Sequence, residues 1–546
     1  PTEVRGEGAV YTPSWVADAL IAQGDELRPG SEPPRIVDPA CGSGGMLVRA
    51  VTYLMERYDL GVEAALCRVG GIEKDEAAAD RARSLLGLLL VARGGEPTLA
   101  DRRVVVGDSL LDEPDERVDQ LDFDRRPDLL VSNPPYVKIQ RLSEGYRRSL
   151  GERWGGYLQG SWSLSLLFAI AGLEWIGRDG ITAQVTQNNL MTSVAGRPVR
   201  THLKQHESLR RIVDFGHHQV FEAVTAYTCL LFLGRRPEAT FEYTALRQTP
   251  GTEALEAASF ARIEHRELDD EAWRLAEEPH LTNLRRLERR GTPLGSLAEI
   301  HVGLATLKDA CFFVAERDGA YVGRGPDGES FELEAEVVRP AIRLLDVDDE
   351  GDLDGGVQPV LFPYERVDGG RPRPMDEEAL ADRYPGAYAY LQAWREPLMA
   401  RDGGNIPEER WFVWGRNQSL AAPGPKLLTK TFNRRPAFWL DDSDRLFANG
   451  YSLTIGQAEL WSGPIDLACL QQILNSRLMH YYAKLTSFQL EGDYQCYQKN
   501  FIERFAIPQL DAAEVAELKA ATAAEVDRIL ARAYGVELAD LDRLGV

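Results

Sequence analysis

Apolar and polar positions follow two rhythms in the first half of the chain. Between residues 35 and 240, short apolar runs of strand length are separated by stretches whose apolar positions recur every three or four residues. The short runs predict strands at Arg35–Asp38, Arg68–Glu73, Arg103–Gly107, Asp128–Ser132, Gly180–Thr186, Arg211–Phe215 and Thr228–Leu233. Helical spacing over Met46–Tyr58 predicts a connecting helix, as in an α/β fold with a doubly wound, Rossmann-like sheet. Only the loop Gly216–Tyr227 separates the last two strands, which predicts an antiparallel pair at the sheet edge.

From about Arg235 the pattern changes. Residues 237–290 are acidic and helix-prone, residues 316–385 are rich in Gly, Pro and Asp, and Trp and Tyr become frequent after Tyr384. The expected organisation is an α/β domain over 1–236, a helical acidic linker over 237–290, a mixed α+β domain over 291–510 and a single C-terminal helix over 511–546. Over Ala512–Tyr534 the residues Val515, Leu518, Val526, Ile529 and Ala533 keep near-helical intervals. Thr522 is the one polar residue on that stripe, and Gly535 stands where a helix stop is expected.

Composition adds a conflict. The 546 residues are 44% hydrophobic, enough for roughly three domains, each with a core. Against 62 basic side chains stand 85 acidic ones, a net −23 that argues against a polyphosphate partner. The excess is uneven, because residues 1–240 hold 28 basic and 33 acidic residues, leaving 62 − 28 = 34 and 85 − 33 = 52 for the remainder. Six cysteines without a CxxC pair disfavour structural zinc and disulfides, so no metal is expected. No apolar run reaches the ~18 residues a membrane span needs, and no signal-peptide pattern opens the chain, so a reducing, cytoplasmic setting is expected.

Two segments carry chemistry. Asp38-Pro39-Ala40-Cys41-Gly42-Ser43-Gly44-Gly45 lies between a strand and a helix, where glycines let the backbone approach a ligand and a helix N-terminus offers unpaired N–H groups. Glu73 ends the next predicted strand and is placed to bind ribose hydroxyls, and Asp108 ends a third. Three acidic positions in this order favour a nucleoside-bearing cofactor over simple helix capping. The second segment is Asn133-Pro134-Pro135-Tyr136, directly after Leu129-Leu130-Val131. Its prolines stiffen the loop and remove two donors, so the Asn133 amide oxygen and the Pro134 carbonyl can accept from one NH2 while Tyr136 offers a stacking face.

DPACGSGG followed some ninety residues later by NPPY resembles the S-adenosylmethionine-dependent adenine-N6 DNA methyltransferases of the TaqI-like, gamma-ordered kind. Tyr11-Thr12-Pro13 resembles their N-terminal cofactor-side motif, and Asp214-Phe215-Gly216 through Val220-Phe221 the loop whose aromatic residue stacks on an extruded base. Ala298–Thr306 with Cys311-Phe312-Phe313-Val314 is similar to the opening of the TaqI-like target-recognition domain, and Pro425–Leu428, Asn475-Ser476-Arg477, Tyr497-Gln498-Lys499 and Phe505–Pro508 to its later blocks. The resemblance implies Asn133, Pro134, Tyr136 and Phe221 as catalytic residues, and Tyr11, Thr12, Asp38, Ala40, Gly42, Gly44, Glu73 and Asp108 as binders of S-adenosylmethionine. In the basic, aromatic stretch Lys426–Arg435, the residues Lys426, Lys430, Arg434 and Arg435 are the candidates for double-stranded DNA.

The implied reaction is methyl transfer to the amine of a flipped adenine, in a restriction-modification or related defence system, with a separate endonuclease or defence subunit as possible partner. Cys41 is expected as a small buried residue and not a nucleophile. A methyltransferase for an RNA base or protein glutamine shares NPPY, but those chains are generally short. A modification subunit active only inside a larger complex is the other alternative. No PD-(D/E)xK arrangement stands out, since Glu517-Leu518-Lys519 falls in a predicted helix.

Overall fold

All seven expected strands form: β1 (Ile36–Asp38), β2 (Val69–Glu73), β3 (Val104–Val106), β4 (Leu129–Ser132), β5 (Ile181–Gln187), β6 (Leu209–Asp214) and β7 (Thr228–Gly234). Two more follow, β8 (Thr240–Ala245) and β9 (Ala261–Glu264). They are seen in a computed structural model that describes residues 11–546 apart from 217, 222–226, 247–248, 271, 349–350, 366–371, 405, 416–423, 456–464, 488 and 491. The chain divides into two units, Pro1–Leu281 and Thr282–Val546.

In the first unit one nine-stranded sheet has the order β3-β2-β1-β4-β5-β7-β6-β8-β9. Strands β1 to β5 are parallel, and β7 runs antiparallel to both β5 and β6. The expected antiparallel pair therefore exists, but inside the sheet, because β8 adds parallel to β6 and β9 antiparallel to β8. Half of the loop Gly216–Tyr227, residues 217 and 222–226, lies outside the described residues.

The helical linker expected over 237–290 is corrected by the same two strands. Phe241, Tyr243 and Ile263 are buried while Glu242 sits on the opposite side, paired with Arg211 of the adjacent strand at 2.6 Å. Glu242 and Glu264 hold partly exposed strand positions, so acid content does not by itself signal helix, although Thr252–Glu256 and His280–Arg289 within the segment are helices.

Alternate strand residues feed two cores. Val37, Ile72 and Leu130 face one, where the helix Leu164–Trp175 packs with every residue but Glu174 buried. Ile36, Leu129 and Val131 face the other, shared with helices α1 (Ser14–Glu26) and α2 (Gly45–Tyr58). Burial on both faces is why these strands read as continuous apolar runs. Helix α1 lies so close to β4 that a Cβ on Gly24 would stand 2.6 Å from Leu129 Cδ1. Asp25 ties α1 to α2, its Oδ2 accepting from the hydroxyls of Tyr53 and Tyr58 at 2.7 Å each.

The second unit is mixed α+β. Its four-stranded sheet runs in the order Ala298–Val302, Gly450–Ile455, Lys426–Lys430, Trp439–Asp441, all antiparallel. A separate core gathers Leu470, Ile473, Met479, Leu518, Leu530 and Tyr534. The closing helix is two helices, Ala512–Ala520 and Ala523–Tyr534, with a third over Leu538–Arg543. Thr522 does not sit on a stripe: it starts the second helix in a capping box with Glu525, and Gly535 ends it in the left-handed conformation.

Candidate active site

The strand order reverses between β1 and β4, the point at which loops from adjacent parallel strands part and leave a crevice at their carboxyl ends. Both chemistry-bearing segments hang there, the glycine-rich turn after β1 and the Asn-Pro-Pro-Tyr loop after β4. The two glycines of the turn have different work. Gly42 takes φ +54° with open space where its Cβ would be, whereas Gly44, at φ +88°, would press a Cβ to 3.0 Å from Ala82 of a neighbouring helix. Gly42 thus borders open space, whereas Gly44 allows the close approach of Ala82 and its helix.

Glu73 fixes this turn from the end of β2. One carboxylate oxygen accepts from the Gly42 N–H at 2.8 Å and the other from the Asp75 N–H at 2.9 Å. Each oxygen keeps acceptor capacity for a hydroxyl. Asp38 is buried, and its Oδ1 accepts from the Ala40 N–H at 3.0 Å. Burial, with the Glu73 carboxylate adding to it, pushes the Asp38 pKa up to about 8 despite that hydrogen bond. Burial raises the Cys41 thiol well above its ordinary value, so it stays protonated.

Asp108 follows β3. Its Oδ1 accepts from the Leu110 N–H at 3.0 Å, and its Oδ2 pairs with Lys74 at 2.8 Å. The Lys74 ammonium also stands 3.5 Å from the Tyr146 ring centroid. Ser109 Oγ donates to the Pro39 carbonyl at 2.6 Å, locking the loop after β3 to the turn after β1. Lys74, Tyr146 and Ser109 escape the motif-based reading. Only Lys74, next to Glu73, carried a local hint.

Asn133 links three segments of chain. Its Nδ2 donates to Thr12 Oγ1 at 3.1 Å, and its Oδ1 accepts from the Tyr136 hydroxyl at 2.9 Å. The close seat of α1 on β4 brings Thr12, just before that helix, to the end of the strand. Tyr11 is 80% exposed, its ring edge 4.0 Å from where a Cβ on Gly45 would stand. Pro134 is buried, and burial raises the Tyr136 hydroxyl above its ordinary pKa.

Behind Asn133, Ser132 pairs in register with Gln184, and both are fully buried. Ser132 Oγ and both polar side-chain atoms of Gln184 have no hydrogen-bond partner. Asn188, past the end of β5, donates to the Gly216 carbonyl at 3.1 Å.

Two expectations are corrected. Phe221 offers no face to solvent: it is 1% exposed in the core with Phe215 and Leu230, against which Tyr136 also packs. Burying a phenyl ring is worth about 2–3 kcal/mol, and the described part of its loop spends the side chain this way. Lys426 cannot contact DNA, because it and Asp441 are 0% exposed and paired at 2.9 Å. Lys430 is half-buried and donates to the Val347 carbonyl at 2.6 Å. Arg434 and Arg435 are exposed, Arg434 standing 5.1 Å over the Tyr494 ring.

Among the described residues no group of His, Cys, Asp or Glu could hold a metal ion, and no helix is long and apolar enough to cross a membrane. The donor set around the turn fits S-adenosylmethionine: an open approach at Gly42, a fixed carboxylate at Glu73 and acceptors at Asp108.

Comparisons with known proteins agree with this geometry. A family model described as Eco57I restriction-modification methylase matches residues 98–221, which include β4 and the Asn133 loop. The chain is 22% identical to the type II restriction enzyme and methyltransferase RM.Eco57I of Escherichia coli, over 87% of this chain and 54% of that protein. It thus spans about half the length of that relative. It is 24% identical to the type II methyltransferase M.XhoI of Xanthomonas vasicola, over 87% of this chain and 86% of that one. Among solved structures, the type IIL restriction-modification enzyme MmeI in complex with DNA aligns with a TM-score of 0.61 at 13% identity, covering 96% of this chain and 72% of MmeI. The DrdV–DNA complex aligns with 0.56 at 12% identity, covering 95% and 58%.

Proposed function

We propose that this chain is a site-specific DNA methyltransferase of a restriction-modification system, transferring the methyl group of S-adenosylmethionine to the N6 amine of an extruded adenine. The observation that carries this reading is the Asn133 loop beside the Gly42–Glu73 turn at the switch between β1 and β4. The family match over 98–221 and relatives named as type II methyltransferases support it.

S-adenosylmethionine supplies an electrophilic methyl group on a sulfonium. Asp38, Ala40, Gly42, Glu73 and Asp108, with Tyr11 and Thr12, would hold it. The amine of adenine is a weak nucleophile because its lone pair is delocalised into the ring. Asn133 Oδ1 and the Pro134 carbonyl accept its two N–H groups and draw the nitrogen towards tetrahedral geometry, turning the lone pair out of the ring. Orientation and preorganised acceptors supply the acceleration, and no covalent intermediate on the protein is needed. Tyr136 stacks on the base. Phe221 does so only after leaving its core position.

Thr282–Val546 supplies sequence choice, with Arg434 and Arg435 on phosphates or guanine edges. Incubating plasmid DNA with labelled S-adenosylmethionine and mapping modified bases tests the reading. N6-methyladenine within one short sequence is expected; methylated cytosine, or no transfer, overturns it.

A further inference from the structure

The Asn133 amide can sit two ways round, and only one of them suits an amine. With Oδ1 turned to the base it accepts an N–H, whereas half a turn about χ2 presents Nδ2, which donates and suits a carbonyl instead. Two hydroxyls decide between them. Nδ2 donates to Thr12 Oγ1 at 3.1 Å, and the Tyr136 hydroxyl donates to Oδ1 at 2.9 Å. A phenol is the more acidic hydroxyl and so the better donor, while an aliphatic alcohol is the better acceptor. Reversing the amide would make both bonds in their weaker sense.

Thr12 is held firmly, although it lies 121 residues before Asn133. Pro13 restricts the backbone of the residue before it to extended conformations, and the Pro13 carbonyl accepts from the Val16 and Ala17 N–H groups at 3.0 and 3.2 Å. Val16 and Ala17 are buried in the core that α1 shares with β4. The hydroxyl is therefore fixed relative to the strand from which the Asn133 loop hangs. We infer that Thr12 is a positioning residue: by accepting from Nδ2 it keeps Oδ1 as the atom offered to the substrate, so the loop takes an amine and refuses a carbonyl. Accepting leaves the hydroxyl its own proton, so this duty is compatible with a contact to the cofactor. The role rests on the amine methylation proposed above and adds the residue that orients its acceptor.

The test measures single-turnover methyl transfer to plasmid DNA for full chains of wild type, T12V, T12A, T12S, N133D and T12V/N133D. Calorimetry fixes the saturating concentration of S-adenosylmethionine for each, and melting temperatures check that the variants fold. At saturation T12V and T12A, which lack the hydroxyl, should be slower by about tenfold, the scale of one hydrogen bond. T12S keeps the hydroxyl and should recover most of the rate. A carboxylate has two equivalent oxygens and no wrong way round, so adding T12V to N133D should cost much less than adding it to wild type. A T12V rate equal to wild type at saturation, or the same T12V loss in both backgrounds, overturns the inference alone. A wild type that methylates no DNA overturns the reading of function and this inference with it.

Discussion

The hydroxyl of Tyr136 donates to Oδ1 of Asn133 at 2.9 Å, and this oxygen is the one the proposed reaction offers to an adenine N–H. The acceptor is therefore never left bare: an arriving amine takes over a hydrogen bond that the loop makes with itself. N133A should lower methyl transfer by about a hundredfold or more, the usual cost of removing one preorganised polar partner. Affinity for S-adenosylmethionine, measured by calorimetry, should hardly change. Y136F keeps the stacking ring and should lose less than tenfold, while Y136A, which forfeits about 1–3 kcal/mol of stacking, should lose more. If Y136F proves as inactive as N133A in single-turnover assays, the hydroxyl and not the ring is what matters.

Asp38 should impose a pH dependence on folding. Its folded-state pKa of about 8 lies above the ordinary 3.8, so the folded protein holds a proton the unfolded chain releases. This stabilisation is complete below the ordinary value and is lost as pH rises through about 8. The slope reaches about 1.4 kcal/mol per pH unit inside that window. D38N cannot ionise and keeps an acceptor for the Ala40 N–H. Denaturant titrations at pH 6 and 8.5 should show wild type losing stability relative to D38N; parallel curves would sink the assignment.

Lys426 and Arg434 lie eight residues apart in one basic stretch and should behave oppositely. Removing one partner of a buried ion pair costs about 3–5 kcal/mol, so K426M should lower the stability of the second unit. K426M/D441L should recover much of it. R434A and R435A should leave melting unchanged, weaken DNA binding, and each reduce the salt slope by about one. Fluorescence anisotropy at several salt concentrations separates the two kinds of variant.

Gln184 offers a gain in stability. Two buried, unpartnered polar atoms are replaced by apolar ones of similar volume in Q184M. Relief of the desolvation cost should stabilise the first unit by about 1–3 kcal/mol, read as a shift of the denaturant midpoint. An unchanged or lowered midpoint would mean that the amide is satisfied in solution.

What could be read from the sequence follows the range of the forces involved. The turn at Asp38–Gly45 and the loop at Asn133–Tyr136 are local, with glycine and proline dihedrals written into adjacent residues, and both stand at strand ends as expected. Strands β8 and β9 were obscured because Glu242 and its acidic neighbours look helical until Arg211 of another strand is seen beside them. Lys426 looked like a surface cation because its partner, Asp441, is fifteen residues away and meets it across two paired strands. The capping box of Thr522 and Glu525 was present in the sequence, yet apolar spacing on both sides ran through it and made two helices read as one.

The place of β4 in the sheet has a dynamic consequence. It is hydrogen-bonded on both sides, to β1 and β5, and its faces are closed by two separate cores. Its amides should be among the last in the first unit to exchange with deuterium, opening only with global unfolding. The Asn133 loop thus hangs from a strand expected to open late. Local fraying at β3 or β9, the two rims of the sheet, can proceed without loosening the amide that would receive the base.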